Sequence, residues 1–182
     1  LKPMAVHGNR PESRIPGLHA LNLLEGLDAQ TLLRSLQDEH PEVRRHALCI
    51  AESHFDVPGL GEAVLACDAS TLPLRTQLAF TLGEWPDARA ADRLAELAIR
   101  SPESCYLAAA GVSSLHSQNV GVVTQSVLEA PNAPESLITS LLEQTASLAE
   151  RDAVRAVIVA LTETPDSART FSRIARTFDA LS

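Results

Sequence analysis

Five prolines, Pro41, Pro73, Pro102, Pro134 and Pro165, recur at intervals of 32, 29, 32 and 31 residues, and each heads an apolar stretch of helical periodicity. Proline suits the first turn of a helix, where its missing N–H would be unbonded anyway and its fixed φ is already helical. Ser101 and Thr164 precede two of the five and are placed to act as N-caps. A regular series of helix starts marks a chain built from repeated helical units, and such a period decides the fold before any local propensity does. The columns behind the prolines agree. Val43, Leu74 and Cys105 stand 31 apart, as do Ala47, Leu78 and Ala109, and Leu48, Ala79 and Ala110. Within one helix these positions lie at i, i+4 and i+5 and form a single apolar face. A second helix in each unit repeats as well, through Leu60, Ala91 and Val122, and through Ala66, Leu97 and Leu128.

The pattern predicts first helices over 18–27, 41–53, 73–84, 102–115, 134–148 and 165–180, and second helices over 29–37, 58–67, 88–100, 118–130 and 150–163. Residues 1–16 carry Pro3, Gly8, Asn9, Pro11 and Pro16 without periodicity and read as a linker or a partial repeat. Residues 17–182 read as one helical-repeat domain. A lone hairpin cannot bury its apolar face, whereas stacked hairpins share a continuous core. The expected fold is therefore all-α, a right-handed α-α superhelix of about five hairpins of ~31 residues. The last helix places Phe171, Ile174, Ala175 and Phe178 at i, i+3, i+4 and i+7, and turns Arg169, Arg173 and Arg176 outward. One polar face is what a terminal cap requires.

Composition fits this reading. Apolar residues are 45% of the chain and aromatics only 3%, a mix suited to closely approached helices and poorly suited to strands. The net charge of −8 opposes polyanions and anionic membranes, so nucleic acid is not an expected partner. The longest apolar runs, such as 156–161, fall far short of the ~18 residues a membrane span needs. Cys49, Cys67 and Cys105 form neither a CxxC nor a CxxCH motif, and their odd number excludes complete disulfide pairing. Their apolar neighbours make all three read as small core residues. The opening residues, Leu1-Lys2-Pro3-Met4, are neither an initiator methionine nor a signal peptide, so the sequence reads as a piece of a longer polypeptide.

The stretches Pro41-Glu42-Val43-Arg44-Arg45-His46-Ala47-Leu48 and Pro73-Leu74-Arg75-Thr76-Gln77-Leu78-Ala79 resemble the first-helix signature of HEAT repeats. Asp38 with Arg44, and Asp68 with Arg75, match the Asp and Arg positions that in this family form a ladder between adjacent repeats. The third unit has Tyr106 where Arg stands, so the resemblance implies a ladder over the N-terminal half alone. The unit length resembles the short bacterial HEAT-like repeats named after phycobilisome lyases, and the resemblance implies a HEAT/armadillo-like solenoid. Residues 18–52 also look like part of a group of large bacterial multidomain proteins, the membrane-bound dehydrogenase-like or haem-binding group. Those proteins join a β-propeller, a HEAT segment and a c-type cytochrome domain. On that resemblance the redox chemistry would lie outside this fragment, and the compartment would be the periplasm or cell envelope; the sequence itself assigns none.

Candidate chemistry is sparse. His19 and His46 each begin a His-Ala-Leu, 27 residues apart. They read either as a metal or haem contact across stacked helices or as surface histidines bonded to nearby backbone, and no HxxxH pair favours the metal. Trp85, in the turn Glu84-Trp85-Pro86-Asp87, reads as an exposed anchor for a partner or as a loop tryptophan folded onto helix ends. Glu143 and Glu150 stand near no base or nucleophile in sequence, and no glycine-rich phosphate loop occurs.

The second helices offer a row of polar residues: Arg34 and Gln37, Glu62, Arg93 and Glu96, Gln125, and Arg155. Their mixed signs suit a folded protein surface. The expected function is a non-catalytic scaffold that binds protein through this row, Trp85, or the Arg169, Arg173 and Arg176 edge. No catalytic residue, metal ligand or cofactor is expected in this fragment, and no membrane insertion. The expected partner is a protein surface, such as a neighbouring domain of the same polypeptide. The alternative is an enzyme on HEAT-like repeats, either DNA glycosylase-like or bilin lyase-like. A glycosylase would need a basic groove bearing aromatics.

Overall fold

The computed structural model describes residues 1–100 and 105–148, together with 155 and 175. Every regular element among the described residues is an α-helix: α1 (Lys2–His7), α2 (Pro11–Leu23), α3 (Ala29–Leu36), α4 (Pro41–Ala51), α5 (Leu60–Leu65), α6 (Leu72–Glu84), α7 (Ala88–Arg100), α8 (Cys105–Ser113), α9 (Val120–Glu129) and α10 (Glu135–Leu148). The expected helices over 150–163 and 165–180 lie outside the described residues, as do the caps at Ser101 and Thr164 and the apolar stripe of the last helix. Arg155 and Ala175 are both helical. No described helix is long and apolar enough to cross a membrane. The chain forms two compact units, Leu1–Trp85 and Pro86–Ser182, a division that falls inside the single 17–182 domain read from the sequence.

In the first unit, helix starts follow capping chemistry. Asp28 accepts a hydrogen bond from the Thr31 amide at 2.9 Å and opens α3. His40 caps α4 through Nδ1, and Thr71 caps α6 through its hydroxyl, with Pro41 and Pro73 in the first turns as expected. Helix α2 packs on α4, α4 on α6, and α3 on α5, while α1 lies against both α2 and α3. The core between them is aliphatic, with Leu18, Leu32, Leu36, Leu48, Leu60, Leu74, Leu78 and Leu82 fully buried. Complete burial of each such side chain contributes on the order of 1.5–3 kcal/mol.

The segment 1–16, read as a linker or a partial repeat, is largely helical. α1 occupies 2–7, and α2 begins at Pro11 rather than 18, running through Pro16 and Gly17. Pro16 forgoes one intrahelical hydrogen bond, which is why propensity alone places the helix start after it. Gly17 explains the site: a Cβ there would lie 2.9 Å from the Ala5 backbone nitrogen, so only glycine lets α1 approach α2 this closely. The other end differs too. α2 stops at Leu23, and Glu25 at φ 54 turns the chain, leaving Leu23 84% and Leu24 67% exposed.

Asp38 and Arg44, two positions of the expected ladder, are engaged with other partners. Arg14 Nη2 donates to Asp38 Oδ1 at 2.9 Å, and its Nη1 to the Gly8 carbonyl at 2.8 Å, with the Arg14 and Asp38 side chains only 8% and 14% exposed. Arg44 pairs with no carboxylate among the described residues; it donates to the Asp38 carbonyl at 2.7 Å and to the Ser70 hydroxyl at 3.1 Å. The guanidinium that meets Asp38 thus comes from Arg14, in the preceding helix α2. Pro11-Glu12-Ser13-Arg14 precedes Pro41-Glu42-Val43-Arg44 by 30 residues, a match in the sequence that the absent periodicity of 1–16 conceals.

In the second unit α7 packs on α8 and α9, and α10 on α8 and α9. Ala90, Ala91, Leu94, Val120, Val123, Val127, Ile138 and Leu141 form its core. The repeat columns hold with local slips. Val43, Leu74, Ala47, Leu78, Leu48, Ala79, Ala110, Leu60, Ala91, Leu97 and Leu128 are buried, but Ala109 is exposed because the buried face of α8 turns one residue onward, to Ala110 and Gly111. Ala66 is exposed because α5 ends at Leu65, and Val122 is half-buried. The cysteines divide as well. The Cys105 side chain lies outside the described residues; Cys67 is buried, whereas Cys49 is exposed on α4, contrary to its core reading, with the neighbouring Leu48 and Ile50 taking the inward places. One-sided burial and the Glu52 carboxylate push the Cys49 thiol up, which disfavours the reactive thiolate.

Candidate binding surface

Two of the residues read from the sequence as a docking row, Arg34 and Gln37, come to the surface because of how α3 is anchored. Thr31, Leu32, Ser35 and Leu36 turn inward, and the Ser35 hydroxyl is held by the Thr31 carbonyl at 2.8 Å. Arg34 is left on the outer face, and Gln37 just past the helix end. α1 runs alongside, and between α1 and α3 lie two open clefts of about 270 and 260 Å³. Lys2, His7, Gln30 and Thr31 line the first; Ser35, Gln37 and Asp38 line the second; Val6 and Arg34 line both. Lys2 is tied to Asp28 at 2.7 Å, and that bond with the Thr31 amide holds the Asp28 carboxyl down from 3.8 to about 2. Asp38 is neutralised by Arg14. Arg34 has no side-chain partner among the described residues, and it sits where the clefts join.

The other members of the row behave differently. Glu62 is exposed on α5. On α7, Arg93 and Glu96 are bonded to one another, and Arg100 adds a second contact to Glu96 at 2.7 Å. On α9, exposed Gln125 donates to Glu129 at 3.0 Å. Arg155 is exposed, whereas Arg169, Arg173 and Arg176 lie outside the described residues. Trp85 is not a protruding anchor. It closes α6, is half-buried, stacks on Phe55 with ring centres 5.2 Å apart and planes 7° from parallel, and covers the α-carbon of Gly61. Compared with protein-family models, with curated proteins and with solved structures, the chain matches none.

The two His-Ala-Leu histidines meet. His19 Nε2 and His46 Nδ1 are 2.9 Å apart across α2 and α4, with the rings edge to face. The second nitrogen of His46, Nε2, receives the Arg45 guanidinium at 3.1 Å. A metal-ligating histidine normally gives its other N–H to an acceptor, and a guanidinium offers only donors. The arrangement thus suits a hydrogen-bonded pair better than a metal. Among the described residues no group of three His, Cys, Asp or Glu comes together as a ligand set. Glu143 is exposed on α10, and Glu150 lies outside the described residues.

A further polar cluster gave no sequence signal. Glu52 Oε1 accepts from the Thr81 hydroxyl and from Gln77 Nε2, both at 2.8 Å, joining α4 to α6. Burial pushes the Glu52 carboxyl up, and Glu84 adds to the effect. Gln77 and Thr81 stand 25 and 29 positions from Glu52, and only the packing of α4 on α6 brings the three together.

Proposed function

We propose that this chain is a non-catalytic helical-repeat module of the HEAT type, a right-handed solenoid that docks protein through the α1–α3 face. The observation that carries the reading is Arg34, an exposed guanidinium without a side-chain partner among the described residues, set where two clefts meet. A guanidinium presents five donors in a rigid fork suited to carboxylates, and a bound partner supplies the acceptors that the chain does not. The helical hairpins and the recurrence of helix starts support the repeat architecture. The amide, guanidinium and hydroxyl groups around Arg34 are suited to holding hydrogen bonds rather than breaking covalent bonds. On the resemblance of residues 18–52, the partner is a neighbouring domain of a longer polypeptide.

The test is calorimetric titration of such a domain into the wild type and into Arg34→Glu. Loss of about tenfold or more in affinity, roughly 1.4 kcal/mol, with helicity and melting temperature unchanged, is the expected outcome. Equal affinity for both proteins contradicts it. Arg93 and Glu96 serve as a control, since each satisfies the other and exchanging their charges preserves the pair.

A further inference from the structure

We infer that His19 and His46 form an acid-released latch between α2 and α4. The 2.9 Å contact between two ring nitrogens requires one proton between them, so one nitrogen donates and the other accepts. Arg45 fixes which: its guanidinium can only donate, so His46 Nε2 is the acceptor and the single proton of neutral His46 sits on Nδ1, directed at His19 Nε2. Both rings must be neutral for the chain Arg45 to His46 to His19 to exist. Protonating His19 fills the acceptor. Protonating His46 puts a hydrogen on Nε2, donor against the Arg45 guanidinium.

The charges around the pair favour the neutral state. Arg45 lies beside His46, and one carboxylate, Glu42, already receives Arg45 Nε at 2.9 Å. Burial, Arg45 and His19 hold the His46 imidazole below its usual range, with Glu42 opposing. Arg14, on α2 itself, is bound to Asp38; from the elements packed on α2 and α4, Lys2 on α1 is bound to Asp28, and Arg34 on α3 lines the clefts facing α1. Glu84 of α6 acts on Glu52, and neither it nor Arg75 of that helix contributes at His46. Because the folded form resists protonation, the latch is fully present above 6.5, the ordinary histidine value, and is lost as the pH falls below it. Buried Leu18 and Leu21 keep α2 docked, so acid loosens the outer rim of the α2–α4 contact without unfolding the unit.

Amide hydrogen exchange of the full chain between about pH 7 and pH 5.5, corrected for intrinsic rates, tests this against the double variant His19→Gln/His46→Gln, which keeps a polar amide at both positions and can titrate at neither. Protection in α2 and α4 should fall several-fold in the wild type and stay level in the variant. A matching fall in both proteins overturns the latch. An independent reading comes from ring nitrogen spectra of the unmodified chain. His46 protonated at Nδ1 and titrating below 6.5 is expected; an Nε2–H form, or titration at or above that value, overturns the assignment.

Discussion

At Glu52 a single carboxylate oxygen satisfies a fully buried threonine hydroxyl and a glutamine amide, while its own charge is disfavoured by burial and by Glu84. The two effects separate by substitution. Glu52→Gln keeps the acceptor and removes the charge, so thermal denaturation at neutral pH should show an unchanged or raised melting temperature. Glu52→Ala leaves the donors unanswered and should cost about 1–3 kcal/mol. The sign with pH follows from the upward displacement: the folded state holds the proton more tightly, so the wild type gains stability as the pH falls from neutral towards the ordinary value of 4.5, and the Gln variant lacks this gain. A melting series in which Ala and Gln behave alike would contradict the role given to the acceptor. None of this was legible in the sequence, because the partners share no motif. The His19–His46 repetition was legible, but the part played by Arg45, which decides the chemistry, emerges only from the packing of α2 on α4.

Helices α4, α6, α7 and α10 follow the sequence reading closely: proline, cap and period agree at α4 and α6, proline and period at α10, and the period places α7. Disagreement concentrates where one signal misleads. Pro16 reads as a break, yet α2 passes through it to keep Gly17 against α1. Cys49 occupies an apolar stretch but faces outward, since neighbours on a helix point about 100° apart and Leu48 and Ile50 take the interior. α5 illustrates the same limit. It is only six residues long, and its seat is fixed by a contact that no pattern encodes, the Trp85 indole lying on Gly61. A methyl group at position 61 would occupy the space of the ring. Gly61→Ala should therefore cost about 1–3 kcal/mol by overpacking and shift the emission of the single tryptophan to the red. Unchanged fluorescence and melting would show that the indole does not rest there.

Across the whole molecule, the repeat period made the all-helical class and the alternation of first and second helices legible in the sequence. The residues read as a docking row differ in their surroundings. Arg34 and Gln37 do line open clefts, whereas Arg93 with Glu96, and Gln125 with Glu129, spend their hydrogen bonds on one another, a pairing set by side-chain geometry rather than by residue type. The central claim is that the chain is an array of hairpins, each stabilised by its immediate neighbours. In such an array a run of adjacent units carries its own core, whereas a fold closed by distant contacts loses its core when cut. The direct measurement is circular dichroism with thermal melting on residues 1–85 expressed alone, the stretch that forms the first compact unit. The account predicts a helical spectrum and a cooperative melt; a disordered spectrum, or helix lost gradually without a transition, would contradict it.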